Sequence, residues 1–389
     1  MDKFIYMDHA ATTPLKKEVL DEMYPYLTKI YANPSSLYAP ARLSKAAIDN
    51  ARDKAASAIN ASSREIYFTS GGSEADNLAI KGAVYANCDR GNEIITSAIE
   101  HPAVINTCRG LEKEGFKITY LPVDKNGFVS IQDLREKINY KTILVSIMFA
   151  NNEIGTIQPI NEIGELCREK NILFHTDAVQ AAGAVPIDVK ILNIDLLSLS
   201  AHKFYGPKGI GALYVRKGIK FKSLIDGGSQ ERGKRAGTEN VAGIVGLGKA
   251  IEIASDNMAE ESRRVSELRD YLINGLLSID GTSLNGSLEK RLPSNVNVSF
   301  EGLEGETLLV MLDNIGVCVS SGSACSSLSL EPSHVLLSIG LSEKKCASSV
   351  RLTLGEENNK EQIAYVVDKV KDIVNRLRNI NSNWNSIRK

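Results

Sequence analysis

The chain of 389 residues carries almost no net charge: 46 lysines and arginines face 47 aspartates and glutamates, leaving −1 at neutral pH. No basic excess is available to follow a nucleic-acid backbone or an anionic membrane. Long apolar runs are missing as well. The opening MDKFIYMDHA holds no signal-peptide core, and no later run approaches a membrane span. The six cysteines (88, 108, 167, 318, 325 and 346) form no C-x-x-C pair. That sets aside a zinc knuckle and a disulfide framework; no metal is expected, and a reducing cytoplasm is. A Walker pattern is absent, which argues against a nucleoside triphosphate. There is no low-complexity tract and no repeat of solenoid length. The remainder is 43% hydrophobic and 24% charged, ample for a large core and for two or three domains.

Short β-rich runs alternate with helical patterns through the first two-thirds. REIYF (64–68), KTILVSIMF (141–149), NILFHT (171–176), IDLLSLS (194–200) and GALYV (211–215) are apolar through most of their length, as strands covered on both faces should be. Residues 41–59 and 160–170 between them show helical spacing. This alternation predicts an α/β fold: a mainly parallel sheet flanked by helices, with ligands at the carboxyl ends of the strands. After about residue 255 come a helical stretch (257–278), NVNVSF (295–300), a helix-like 306–316, SSVRLTLG (348–355) and a one-sided apolar stripe over 360–380. We therefore expect a large domain over 15–255 and a smaller α+β domain from 1–14 and 256–389.

The residues that follow the strands carry the chemistry. TSGGSEADNLAI leads two glycines and a serine straight into a helix, with Glu74 and Asp76 in its first turn, which suits a phosphate or serves as a tight turn with its cap. Asp177, in DAVQ, is a helix cap or a buried anion that keeps a ring nitrogen protonated. Lys203, in AHKFYGPKGIG, follows a buried strand, where an ammonium is costly. It is a solvated loop lysine or is joined to a carbonyl as a Schiff base. His101 follows the strand EIIT, and Asn151 and Asn152 follow KTILVSIMF. A lysine amine, an acid for a ring nitrogen and a phosphate loop on one rim are together what pyridoxal phosphate needs. Cys325 stands apart, in SSGSACSSLSL (320–330), where Gly322 and the serines loosen the backbone.

Nearly end to end, the chain resembles the cysteine desulfurases of the NifS/IscS-like kind, within the class V aminotransferase group. The resemblance is carried by MDHAATTP (7–14), YANPSS (31–36), SGGSEADN (70–77), EHPAV (100–104), ANNEIGTIQPI (150–160), HTDAVQ (175–180), SLSAHKFYGPKGIGALYVRKG (198–218), GGSQERGKRAGTEN (227–240) and SSGSACSSLSLEPSHVL (320–336). It implies the fold type I architecture of aspartate aminotransferase-like enzymes, pyridoxal 5′-phosphate as cofactor and a homodimer. L-cysteine would yield L-alanine and a persulfide on Cys325. An iron–sulfur scaffold or a tRNA-thiolation enzyme would then accept the sulfur. By the same resemblance Lys203 would carry the cofactor and move the Cα proton, and His101 would stack on the ring as acid or base. Asp177 would pair with the ring nitrogen and Gln180 with the phenolic oxygen. Gly72, Ser73, Ser200 and His202 would hold the phosphate, with Thr238 reaching it across the dimer. Asn152 and Arg351 would grip the substrate carboxylate. The sequence departs from the family pattern at Ser73, Tyr38, Ala41, Asp226 and Ser229. A selenocysteine lyase or another class V aminotransferase or lyase shares most of these features, but an aminotransferase leaves Cys325 without a task. A mobile loop over about 321–331 is expected, so that one sulfur meets both the cofactor and an acceptor protein.

Overall fold

The computed structural model describes residues 4–321 and 332–380. Cys325 and the rest of its expected mobile loop, 322–331, lie outside the described residues. After a two-residue strand β1 (Ile5–Tyr6), the chain forms β2 (Ile66–Thr69), β3 (Glu93–Ser97), β4 (Lys117–Leu121), β5 (Thr142–Ser146), β6 (Leu173–Asp177), β7 (Leu196–Ser200) and β8 (Gly211–Val215). Strands β2 to β8 make one sheet in the order β2-β8-β7-β6-β5-β3-β4. Only β8 is antiparallel to its neighbours. Successive side chains of a strand point to opposite faces. Ile95, Val145, Phe174, Leu197 and Tyr214 accordingly join one buried cluster, while Ile94, Leu144, Leu173, Leu196 and Leu213 join another. Both faces are covered, which is why these strands read as continuous apolar runs.

The remaining strands are β9 (Thr282–Leu284), β10 (Asn295–Phe300), β11 (Val317–Cys318), β12 (Ser320–Ser321) and β13 (Ser349–Thr353). Four of them form an antiparallel sheet, β12-β13-β10-β9, and β1 pairs in parallel with β11. A separate cluster joins Met7 to Val296, Val298, Val350 and Leu352, with the stripe Ile363, Val366, Val370, Ile373 and Val374 of the helix Lys360–Ile380 laid over it. Among the described residues no helix is long and apolar enough to cross a membrane.

The helix expected at 257–278 begins sixteen residues earlier and runs unbroken over Val241–Leu277. Gly246 and Gly248 lower helix propensity, but packing overrides it. A Cβ on Gly248 would lie 2.7 Å from the Ala51 Cα, and one on Gly246 would lie 2.6 Å from the Met23 sulfur. The glycines let this helix press against its neighbours. Its first half belongs to the core of the seven-stranded sheet through Ile244, Leu247 and Ile251, and its second half to the other core through Val265, Leu272 and Leu276.

Candidate active site

The parallel strands deliver their carboxyl ends to one rim. Gly71 and Gly72 follow β2, His101 follows β3, Asn152 follows β5, Asp177 ends β6, and Ser200 to Lys203 end and follow β7. Gly72, Ser73, His101, Asn152, Asp177, Gln180, Ser200, His202 and Lys203 line one cavity of about 290 Å³, together with Asp76. A second space of about 460 Å³ shares Ala11, Gly72, Ser73, Ser200 and His202 with it, so the two are ends of one elongated site.

The deep end is acidic and dry. Asp177 accepts the Val179 N–H at 2.9 Å. Burial raises its carboxyl above the usual range, against the pull of His101 and Lys203. His101 caps the helix Pro102–Lys113, its Nδ1 accepting the Ala103 N–H at 3.1 Å. With that lone pair used, the neutral ring carries its proton on Nε2. Burial favours that neutral form by lowering the imidazole below its ordinary value, although Asp177 opposes the shift. Lys203 Nζ donates to the carbonyls of Ala10 and Ala11 at 2.5 and 2.7 Å. Gln180 Nε2 donates to the same Ala10 carbonyl at 3.0 Å.

The outer end is built from backbone and hydroxyls. Gly71 and Gly72 open the helix Gly72–Ala86, whose first N–H groups are left for an anion. A Cβ on Gly72 would lie 2.8 Å from Val179 Cγ2. Glu74, whose charge would repel a phosphate, is instead paired with Arg235 at 2.8 Å. His202 donates to or accepts from Thr12 Oγ1 at 3.1 Å, and burial lowers it to about 4, so it is neutral near pH 7. Thr238 is exposed and lines a different cleft, with Arg235 and Asn240.

Arg351 and the two stems of the cysteine segment complete the surroundings. The Arg351 guanidinium is buried at 1% exposure and donates to Asp8 Oδ1 at 2.8 Å and to the Asn152 carbonyl at 3.1 Å. Its Nε has no partner among the described residues. Ser320 and Ser321 pair with Arg351 and Val350. On the far side, Ser333 Oγ donates to Glu153 Oε2 at 2.5 Å and His334 Nε2 donates to the Glu100 carbonyl at 2.9 Å. The segment that holds Cys325 thus leaves and returns beside Arg351, Asn152 and His101.

Several participants were not anticipated from sequence. The segment 8–12 supplies Asp8, the Ala10 and Ala11 carbonyls and Thr12, contacts that span up to 343 positions and leave no local signal. MDHAATTP marked the segment without saying what it touches. Lys208 lines the outer end. Asp76 had been read with the first turn of an anion-binding helix; it points into the dry end instead.

The class-V aminotransferase family matches residues 5–366. Cysteine desulfurase IscS of Clostridium botulinum (strain Hall) is 59% identical over 387 residues, which cover 99% of this chain and 98% of that protein. The Methanosarcina thermophila protein of the same name is 59% identical over 379 residues, 97% of this chain and 94% of its own. Among solved structures, a NifS-like protein superimposes with a TM-score of 0.91 at 38% identity, covering 96% of this chain and 100% of that one. The chain belongs to the class-V aminotransferase family, whose fold type I architecture it shares and whose cofactor is pyridoxal phosphate. Within it the chain groups with the cysteine desulfurases of the NifS/IscS-like kind.

The residues present fit that cofactor. An elongated cavity offers a lysine amine midway, a buried carboxyl at one end and a helix start with hydroxyl groups at the other. Asp76 Oδ1, buried and without a hydrogen-bond partner among the described residues, is a second acid at the same end as Asp177.

Proposed function

We propose that this site takes sulfur from L-cysteine and passes it on as a persulfide carried by Cys325. The chain is a pyridoxal-phosphate-dependent cysteine desulfurase. When bound, the cofactor supplies a carbonyl for an amine and a protonated ring that draws electrons from the substrate's Cα. Lys203 would hold the cofactor and, once its amine is free, carry the Cα proton. Asp177 would face the ring nitrogen, Gln180 the phenolic oxygen, and Asn152 the substrate side. The helix start at Gly72, with Ser73, Ser200 and His202, would hold the phosphate. His101, neutral and at the cavity wall, would act beside the ring as acid or base.

Arg351 is the cation for the substrate carboxylate, and in this state Asp8 occupies one of its edges. The Cys325 thiolate forms an S–S bond as the substrate's Cβ–S bond breaks. The electron pair of that bond stays with the carbon skeleton, which a proton completes to L-alanine. The observation that carries this reading is the anchoring of both stems of the Cys325 segment at the cavity, through β12 beside Arg351 and through Ser333 on Glu153. Attack by a second thiolate or a reductant then passes the sulfur to an acceptor, which we take to be an iron–sulfur scaffold or a thiolation enzyme.

We further read the protein as a cytoplasmic homodimer. Leu20, Tyr24, Leu27, Tyr31, Leu37, Tyr38 and Leu43 are all exposed within one stretch of chain, with Leu37 at 92%. Such a patch is normally covered. Thr238 lies outside its own chain's cavity, as a residue that serves a partner's phosphate would. A nucleophilic thiol also needs a reducing compartment.

The test is turnover of L-cysteine, with alanine and sulfide measured in the presence of a reductant. The wild type should produce both in equal amounts, and Cys325→Ser should bind cysteine but produce neither at a useful rate. Full turnover by Cys325→Ser would remove the persulfide from the mechanism.

A further inference from the structure

Beside Asp177 lies a second buried acid to which the reaction as read above gives no task. Asp76 is the fifth residue of the helix Gly72–Ala86, beyond the reach of the helix-start field, and its side chain turns into the cavity. It is 1% exposed. Ligand-type atoms of Asp76, His101 and Asp177 all lie within 4.8 Å of one another. Two carboxyls this close and this dry cannot both carry charge at little cost.

The surroundings decide which of them does. Asp177 has the Val179 N–H and the positive field of the Lys203 ammonium on its side. Asp76 has the Ser198 hydroxyl, while its Oδ1 has no partner among the described residues. His175 Nε2 lies 3.7 Å from Asp76 Oδ1 and gives no charge. Both nitrogens of His175 are engaged with serine hydroxyls, Ser146 at 2.8 Å and Ser198 at 3.1 Å, and burial lowers the ring to about 3. Glu100, from the turn after β3, adds a further repulsive acid rather than a cation.

We propose that Asp76 is a positioning residue for the cofactor: it keeps its proton, and so leaves Asp177 as the single carboxylate that faces the ring nitrogen. Burial and the nearby Asp177 raise the Asp76 carboxyl well above its ordinary range, in the same sense. The protonated acid sets the local charge at one negative unit, matched to one pyridinium. The proposal rests on the cofactor reading above.

Asp76→Asn is the test, because asparagine copies the shape and neutrality of the protonated acid. Pyridoxal phosphate should bind purified apoprotein of Asp76→Asn within about threefold of wild type at pH 7, whereas Asp177→Asn should lose about 100-fold. A tenfold or greater loss in Asp76→Asn would mean that Asp76 is charged, and would overturn the proposal. The second readout needs no cofactor. A carboxyl raised in the folded state keeps a proton that the unfolded chain releases above pH 3.8, so wild-type apoprotein loses stability as pH rises through that window. Asp76→Asn should escape this loss, and the ratio of the two folding constants should shift toward the variant by up to about tenfold per pH unit above pH 4. A ratio that is flat with pH would show a purely structural residue. Should Asp76→Asn fail to fold, Asp76→Ser, neutral and smaller, carries the same two expectations. If wild-type apoprotein binds no pyridoxal phosphate, the cofactor reading fails, and the stability profile still decides the state of Asp76.

Discussion

The two ends of the cavity solve opposite problems. At the outer end an anion is to be held, and the chain supplies backbone N–H groups at a helix start, the Ser73 and Ser200 hydroxyls and a neutral His202. Nothing in that group titrates near neutral pH. At the deep end a cation is to be held on the reading above, and the chain supplies the Asp177 carboxyl with two further acids, Asp76 and Glu100, close by; all three are buried to 7% exposure or less. Fixed dipoles bind at one end, and titratable groups shifted by burial bind at the other. Among these groups, pH near neutrality acts on the deep end alone.

The largest effect should come from the junction between the ends. Lys203→Ala should abolish the yellow colour of the bound cofactor and lower turnover by about 10⁴-fold, since the proposed function makes one amine both the attachment point and the proton carrier. Retained colour with full turnover would move the attachment elsewhere. Next comes the titrating end. Burial raises Glu100 to about 8, and its Oε2 has no partner among the described residues. The folded state keeps this proton while the unfolded chain loses it near 4.5, so stability falls between about pH 4.5 and 8 and then levels off. Glu100→Gln should remove up to about 1.4 kcal/mol of that loss per pH unit, read from denaturation midpoints at pH 5 and pH 8. Parallel curves for variant and wild type would mean that Glu100 is ionised throughout.

At the outer end the effects should be smaller and flat with pH. Gly72→Ala pushes a methyl against Val179 and should weaken cofactor binding about tenfold, equally at pH 6 and pH 8. A pH-dependent loss there would break the contrast between the ends. Ser73→Ala should cost about fivefold in cofactor affinity, and Ser73→Thr, which keeps the hydroxyl, should cost nothing measurable by titration.

Much of the cavity lining is legible in the sequence. Asp177 and Lys203 stood out because each follows a run of apolar residues buried on both faces, and a charge in that position asks for a reason. Asp76 was misread for the opposite cause. An acid near a helix start is ordinary, and only the packing of that helix on the sheet shows that the side chain turns inward. The pairing of Asp8 with Arg351 was invisible because the two are 343 positions apart and each is unremarkable locally. The early start of the helix Val241–Leu277 was hidden by glycines, whose low propensity is outweighed by contact with Ala51 and Met23. Arg351, expected to grip the substrate carboxylate, lies against Asn152 of the cavity wall, and its acidic partner, Asp8, is internal.

That long helix has a consequence for how the molecule comes apart. At about 1.5 Å per residue its 37 residues span roughly 55 Å, and each half is buried in a different core. Midway, Ser262 donates to the Ala184 carbonyl and Arg264 to the carbonyl of Asn358, so both bodies grip the same few turns. Neither core can melt without stripping half the burial from a helix that the other depends on. Heating should therefore give one transition rather than two. Lys203 and Arg351, though built on separate sheets, are lost together.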